Sequence, residues 1–419
     1  MKKPELLAPA GGRSQLEAAI RYGADAVYLA IGRFGMRQRA ENFASEDIPS
    51  VVARCHAAQV KVFVTVNTLM DADDIAALPG YLEALAAAGV DAFIVGDLGA
   101  NRLARKHAPG VAVHVSTQAS VSNAEAACAW HEMGARRVVC AREMSVAEIA
   151  RMRASVPRDL EIEAFVHGSL CMAVSGRCLI SAALNGRSAN KGQCTQPCRW
   201  NYALMEEKRP GEFFPIEEDA HGSYLMNACD LNMLSHLDDL AAAGVDSFKI
   251  EGRNKRAFYV ATVVNAYRRV IDGEDPSSVE PELYTVSHRP YDTGFYYGSP
   301  TQASDVDGYE KDCLHAATVQ ACRLEREGLW RVEATCFNRF CEGDVLEALV
   351  PQGDVRAIPI RTLAWLPRSA VEGVFSSPVA VPVANRSSET YAFTSPSPLS
   401  RGDFLRVRLG SSSEVSSIV

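Results

Sequence analysis

The chain has 419 residues, 47% of them hydrophobic and 22% charged, with a net charge of −8. That length exceeds one ordinary core, so two domains are expected, one of them large. The acidic balance excludes a sequence-independent nucleic-acid binder that works by whole-molecule attraction, although a local basic patch can still dock RNA.

The opening MKKPELLAPAGG is interrupted by Pro9 and Gly11 and reads as no signal peptide. No apolar run approaches a membrane span, so a cytoplasmic location and no membrane partner are expected. Twelve cysteines in such a chain are read as reduced thiols, not a disulfide framework.

From there to about residue 273, short apolar runs alternate with alanine-rich helical stretches. The predicted strands are ELLAPAG, AVYLA, KVFVTVN, AFIVGD, VAVHVSTQ, RVVCARE, IEAFVHG and SFKIEG. Predicted helices lie between them, from RSQLEAAIRY through LNMLSHLDDLAAAG to NKRAFYVATVVNAYRRVID. Several end in a glycine-plus-acid step (YGADAVYL, AGVDAFIV, AGVDSFKI), where glycine supplies a left-handed cap before a buried parallel strand. Eight such units predict an α/β fold, a (β/α)8 TIM-like barrel over 1–273, ahead of a doubly wound open sheet. A cysteine-bearing insertion, about 168–229, follows strand 7. Residues 274–310 lose helical period and read as an aromatic linker that packs against something. A small C-terminal antiparallel β-barrel is predicted over 311–410, with a frayed tail at 411–419.

Barrel enzymes place their sites at the C-terminal ends of the strands. Those ends carry Asn67, Asp97, Thr117, Gln118, Arg142, Glu143, His167, Glu251 and Arg253. Glu163, His167 and Glu251 are the candidate catalytic groups; Asn67, His114, Gln118, Arg142 and Arg253 are the candidate substrate contacts. Two guanidinium forks beside Lys255 suit an anion. Arg33, Arg37 and Arg39 make a basic loop on the same rim. With Arg187, Lys191, Arg199 and Arg256 they are candidates for a nucleic-acid backbone patch, weighed against a scatter of solvated charges.

The insertion holds Cys171, Cys178, Cys194 and Cys198 among Gly, Ser, Gln and Arg, which offer a thiol no apolar cavity. Four thiolates suit a soft metal centre, iron–sulfur or zinc. The six- and fifteen-residue gaps do not match paired zinc spacings, and spacing alone leaves the metal open. Cys55, Cys128 and Cys140 sit in apolar helices or strands and read as core, and Cys336 and Cys341 read as core or turn packing. A zinc-protease helix is excluded at HEMGA, where Ala135 stands in place of the second histidine, and no G-x-S-x-G elbow occurs.

EAFVHGSLCMAVSGRCLIS resembles the signature of the collagenase-like peptidase family U-32, through Glu163, Phe165, Gly168, Ser169, Cys171, Ser175, Gly176, Cys178 and Ser181. RSANKGQCTQPCRW, RPGEFFPIEEDAHGSYLMN, FKIEGRNK and VSHRPYDTGFYYG extend the likeness over essentially the whole chain, closest to the family's long, tRNA-modifying branch. The resemblance implies an iron–sulfur protein that hydroxylates carbon 5 of the wobble uridine of tRNA without dioxygen and with prephenate. Its implied ligands for a 4Fe–4S cluster are Cys171, Cys178, Cys194 and Cys198, with Cys229 the local alternative for the fourth. Its implied partners are tRNA at the anticodon region, a small carboxylate co-substrate and an electron partner. The rival readings are a collagenase-like peptidase and a non-catalytic iron–sulfur scaffold.

Overall fold

The structure, a computed structural model, describes residues 3–36, 41–170, 178, 180–199, 203–205, 213–215, 229–300, 309–367 and 377–409. All eight predicted barrel strands form: β1 (Glu5–Pro9), β2 (Ala26–Leu29), β3 (Lys61–Val66), β4 (Ala92–Val95), β5 (Ala112–Val115), β6 (Arg137–Val139), β7 (Glu161–Ser169) and β8 (Ser247–Ile250). They run parallel in chain order, and the barrel closes because β8 pairs with both β7 and β1. Around it lie α1 (Arg13–Arg21), α2 (Ile48–Ala57), α3 (Ala72–Ala87), α4 (Leu98–His107), α5 (Ala124–Glu132), α6 (Val146–Ser155), α7 (Leu237–Ala242) and α8 (Ala257–Ile271).

The glycine-plus-acid repeat does two jobs. Gly23, Gly89 and Gly244 adopt positive φ after α1, α3 and α7, as the left-handed cap requires. The acid that follows then accepts from the first main-chain N–H groups of a neighbouring strand. Asp25 accepts from Leu6 N at 2.8 Å, Asp91 from Val62 N at 2.7 Å and Asp246 from Ile162 N at 2.9 Å. Strand starts at the barrel floor are thereby satisfied by the turn that precedes the next strand.

Two apolar layers result. Outward-facing residues of the strands pack under the helices in one large core. Inside the barrel, Leu7, Tyr28, Phe63 and Ile94 form a small apolar plug. The rest of the interior is polar and charged, which is what positions the site.

LNMLSHLDDLAAAG is only half helical. Asp230–Asn232 forms a short strand antiparallel to the end of β7, and helix begins at Leu237. Asn232 explains the difference, because its side chain accepts from Leu234 N and turns the chain before α7. Residues 274–300 wrap onto the barrel. Tyr291–Asp292 pairs with Asp230–Asn232, and Tyr296 Oη donates to Phe165 O at 2.6 Å. Among the described residues no helix is long and apolar enough to cross a membrane.

Beyond Glu310 the chain forms an eight-stranded antiparallel sheet with its own core, including Val319, Val332, Leu346 and Phe393. Among the described residues its outer strands, Arg356–Pro359 and Val379–Ala380, do not pair with each other. RAIPIRTLAWL divides into two strands at Ile360, and Thr390–Ser395 adds a strand that the sequence reading missed. The sheet docks along α1 and α8. Tyr22 Oη donates to Leu349 O at 2.8 Å, Phe258 of α8 lies 5.8 Å from the Phe404 ring, and α8 is buried along almost its whole length. The tail at 411–419 lies outside the described residues.

Candidate functional site

At the C-terminal mouth of the barrel is a polar cavity of about 50 Å³, lined from β2, β3, β4, β5, β6, β7 and β8 and the segments that follow them. Five predicted residues meet there: Asn67, Gln118, Arg142, Glu251 and Arg253, with Thr117 beside them. The walls also include Tyr28, Thr65, Ser116, Phe165 and Lys249, which sequence reasoning missed.

Several wall residues are held by side-chain contacts. Asn67 accepts from Met36 N at 3.1 Å and donates to Ser116 Oγ at 3.0 Å. Arg253, almost fully buried, donates from Nη1 to Thr65 Oγ1 at 2.9 Å and from Nη2 to Met36 O. Thus the chain after β2 is tied across the mouth by β3 and β8. Arg142 lies 3.6 Å from Glu251 and stacks its guanidinium 4.2 Å over the Phe165 ring. Lys249 Nζ lies 4.6 Å over Tyr28 and donates to Glu163 at 2.8 Å. The cavity therefore faces three cations, Arg142, Lys249 and Arg253, against one carboxylate, Glu251. A small anion is the ligand such a balance favours.

Glu163 is not on the cavity wall. The β7–β8 register sets it beside Ser247, one inward-facing layer below Phe165 and Lys249. There it is fully buried and accepts from Arg137 Nη1 at 2.9 Å as well as from Lys249. Arg137 also binds Glu5 at 2.7 Å and Glu161 at 2.8 Å. Burial opposes the charge of Arg137, but Glu163, Glu5 and Glu161 outweigh it and hold its pKa above the usual value.

His167 also leaves the rim. An extra residue in β7 opposite Lys249 and Ile250 makes a bulge that turns His167 toward the helices. It packs among Tyr259, Tyr267 and Tyr291, and burial, aided by Lys255 and His288, lowers its pKa to about 3. His114 lies inside the barrel, edge-on to Phe63 at 4.7 Å, and does not line the cavity. Burial, then Arg137, Lys249 and Lys61, hold it neutral. Asp97 caps α4 by accepting from Ala100 N at 3.0 Å, and Lys255 donates to Ser287 O at 3.0 Å; neither lines the cavity.

The cysteine segment rests beside this mouth. Leu69 N donates to Asn190 O at 2.9 Å, just past β3, and Asn190 Nδ2 donates to Cys178 O at 3.0 Å. Lys191 binds Asp71 at 2.6 Å and Asp74 at 3.0 Å, and Arg33 lies 3.5 Å from Asp74. Those acids offset part of the expected basic patch. Arg37, Arg39 and Cys171 lie outside the described residues, as does the Arg199 side chain.

Cys178, Cys194 and Cys198 are half-buried and stand outside any disulfide among the described residues. Among the described residues no three Cys, His, Asp or Glu side chains converge as a metal-ligand group. The donor chemistry does suit a thiolate centre. Gln196, in the left-handed region, aims its N–H at Cys194 Sγ at 3.3 Å, the kind of contact that stabilises and tunes a metal-bound sulfur. Cys229 is buried and immediately precedes the strand whose Asp230 pairs with Ser169, two residues before Cys171. Cys55 and Cys140 are buried core thiols whose pKa burial pushes up to about 12.

Residues 11–305 match the sequence profile of the family described as Peptidase family U32. Tested against individual proteins, the chain is 36% identical over 403 residues to tRNA hydroxylation protein P of Escherichia coli (strain K12), spanning 85% of this chain and 88% of that protein. It is 41% identical over 360 residues to tRNA hydroxylation protein P1 of Bacillus subtilis (strain 168), spanning 84% of each. It is also 36% identical over 312 residues to a protein named collagenase from Porphyromonas gingivalis (strain ATCC BAA-308 / W83), spanning 70% of this chain and 73% of that protein.

Proposed function

Since the chain belongs to Peptidase family U32, we propose that it is an RNA-modifying enzyme that hydroxylates carbon 5 of the wobble uridine of tRNA without dioxygen, in a prephenate-dependent reaction in the cytoplasm. The observation that carries this reading is near-full-length similarity to tRNA hydroxylation proteins at 36% and 41% identity. The cation-rich cavity at the barrel mouth supports a carboxylate co-substrate in this reading.

In this proposal Cys171, Cys178, Cys194 and Cys198 hold a 4Fe–4S cluster, with Cys229 the alternative to Cys198. When bound, such a cluster supplies one-electron redox chemistry, with electrons from a separate partner. The chain's own residues do the positioning. Arg142 and Arg253 hold a carboxylate, Glu251 orients Arg142, and Asn67 and Gln118 present hydrogen-bonding groups across the mouth. Arg37 and Arg39 supply positive charge for the tRNA backbone in this scheme. His114 and His167, held neutral by burial, are not proton donors at neutral pH in this scheme.

The test is mass spectrometry of wobble nucleosides in tRNA from a strain lacking the protein and any dioxygen-dependent hydroxylase. Modification restored by the wild type and not by Cys178→Ala supports the proposal; full modification without the protein overturns it. The relative named collagenase keeps a peptidase reading in play. Gelatin cleavage by the purified protein, abolished by a single cysteine substitution, would favour that reading.

A further inference from the structure

Lys249 is buried on β8, yet its side chain forms part of the wall of the mouth cavity. Across the cavity from it stand Arg142 and Arg253, so the wall gathers three cations. The carboxylate partner of Lys249 among the described residues, Glu163, is shared with Arg137 at 2.9 Å, and Arg137 in turn binds Glu5 and Glu161. Glu163 therefore fixes the amine while dividing its own charge between two cations. The Tyr28 and Phe165 rings lie 4.6 Å and 5.4 Å from Nζ. Aromatic faces steady a cation while leaving its charge available to an incoming anion.

Size narrows the ligand. A cavity of about 50 Å³ holds only a few waters, at roughly 10–15 Å³ each. One carboxylate group with its attached carbon fits that space. We propose that the cavity is a single-carboxylate subsite in which Lys249 is a direct contact and Glu163 its positioning residue. This rests on the proposed carboxylate co-substrate for its biological setting, and it assigns the buried end of that molecule. The second carboxylate of a larger ligand then lies outside the cavity. Glu163 acts from below through the amine, which is why a strand residue that never reaches the wall still matters to the ligand.

The test uses the full-length protein and pyruvate as the probe, with binding measured by calorimetry and no RNA present. Its outcome is thereby separate from that of the hydroxylation assay. Wild type is expected to bind pyruvate. Lys249→Met combined with Glu163→Gln removes both charges together and leaves no new unpaired ion between them; it is expected to weaken binding about tenfold, the effect of losing one charge-assisted hydrogen bond. Glu163→Gln alone is expected to weaken binding severalfold although it does not touch the cavity. A residue that served only to hold the barrel together would lower the melting temperature and leave the dissociation constant unchanged. No pyruvate binding by wild type, or unchanged affinity in the folded double variant, overturns the assignment.

Discussion

Tyr267 lies on the helix-facing side of β7 beside His167, its hydroxyl 3.3 Å from His167 Nδ1 while donating to Val166 O at 2.7 Å. The histidine is thereby kept neutral inside an aromatic box, with a folded pKa of about 3 against an ordinary value of 6.5. Above pH 6.5 both folded and unfolded forms are neutral, and His167 adds no pH dependence. Between pH 6.5 and 3 only the unfolded chain takes up the proton, so stability falls as pH falls. The slope from one such histidine is about 1.4 kcal/mol per pH unit. His167→Phe is expected to flatten the decline by about that amount between pH 6 and 4, measured by urea unfolding. An unchanged slope would mean that His167 takes up its proton in the folded state.

The same histidine shows where the sequence could be read and where it could not. The eight strands were legible because parallel strands covered on both faces are continuous apolar runs, and glycine with its acid marks each boundary. Which way a charged residue faces was not legible. Glu163 and His167 sit in one strand four residues apart, and strict alternation would place both inside. The bulge after Phe165 breaks that alternation and sends His167 outward. Lys249 was overlooked too. The sequence does not say which face of SFKIEG its lysine occupies, and only the closed barrel reveals that its position faces inward. Asp230–Asn232 was hidden because three residues carry too little period to compete with the helical LDDLAAAG beside them.

Arg142 offers a test of the guanidinium fork. Its stacking on Phe165 at 4.2 Å and its proximity to Glu251 fix the plane of the group. Lysine keeps the charge but loses both the plane and the second donor. Arg142→Lys is expected to lower the wobble-hydroxylation rate at limiting carboxylate co-substrate about tenfold or more, with little change at saturation. A reconstituted assay over a range of co-substrate concentrations checks this. An equal loss at all concentrations would place Arg142 in the reacting step and not in binding.

The metal proposal is checked by counting atoms. Anaerobically purified protein with a 4Fe–4S centre should carry about four iron and four acid-labile sulfides per chain, with a broad visible absorption. Cys194→Ala removes the sulfur that Gln196 N supports at 3.3 Å, and both counts are expected to fall sharply. Cys336→Ala is the control, because Cys336 is buried in the C-terminal sheet, where burial pushes its pKa up to about 11. Loss of iron in that variant as well would point to general unfolding. Zinc in the wild type would replace the cluster with a redox-inert site.

Arg406 joins the C-terminal sheet to the segment that wraps onto the barrel. It is fully buried and binds Glu282 at 2.7 Å and Glu347 at 2.8 Å. Removing one member of a buried ion pair leaves the others uncompensated, at a cost of about 3 kcal/mol. Arg406→Met is expected to lower the urea midpoint of the C-terminal sheet. Tryptophan fluorescence can follow it, because Trp330 and Trp365 lie in that sheet. Intact iron content in the same sample would show that the barrel mouth survives the loss.

Gly168 connects backbone conformation to the cavity. Its φ is +101°, and a Cβ there would lie 2.5 Å from Glu251 O and 3.1 Å from Glu251 Cβ. Alanine must therefore both adopt an unfavourable backbone conformation and push away the strand end that carries Glu251. Gly273 separates the two effects, because its φ is +108° with nothing within 4 Å of the added carbon. Gly273→Ala is expected to cost about 1–2 kcal/mol of stability and to leave hydroxylation unchanged. Gly168→Ala should cost more than that and also reduce hydroxylation, because displacing Glu251 releases the partner that orients Arg142 at 3.6 Å. Unfolding midpoints and nucleoside analysis on both variants make the comparison. Equal effects on stability with full activity in each would show that the contact between Gly168 and Glu251 does not shape the cavity.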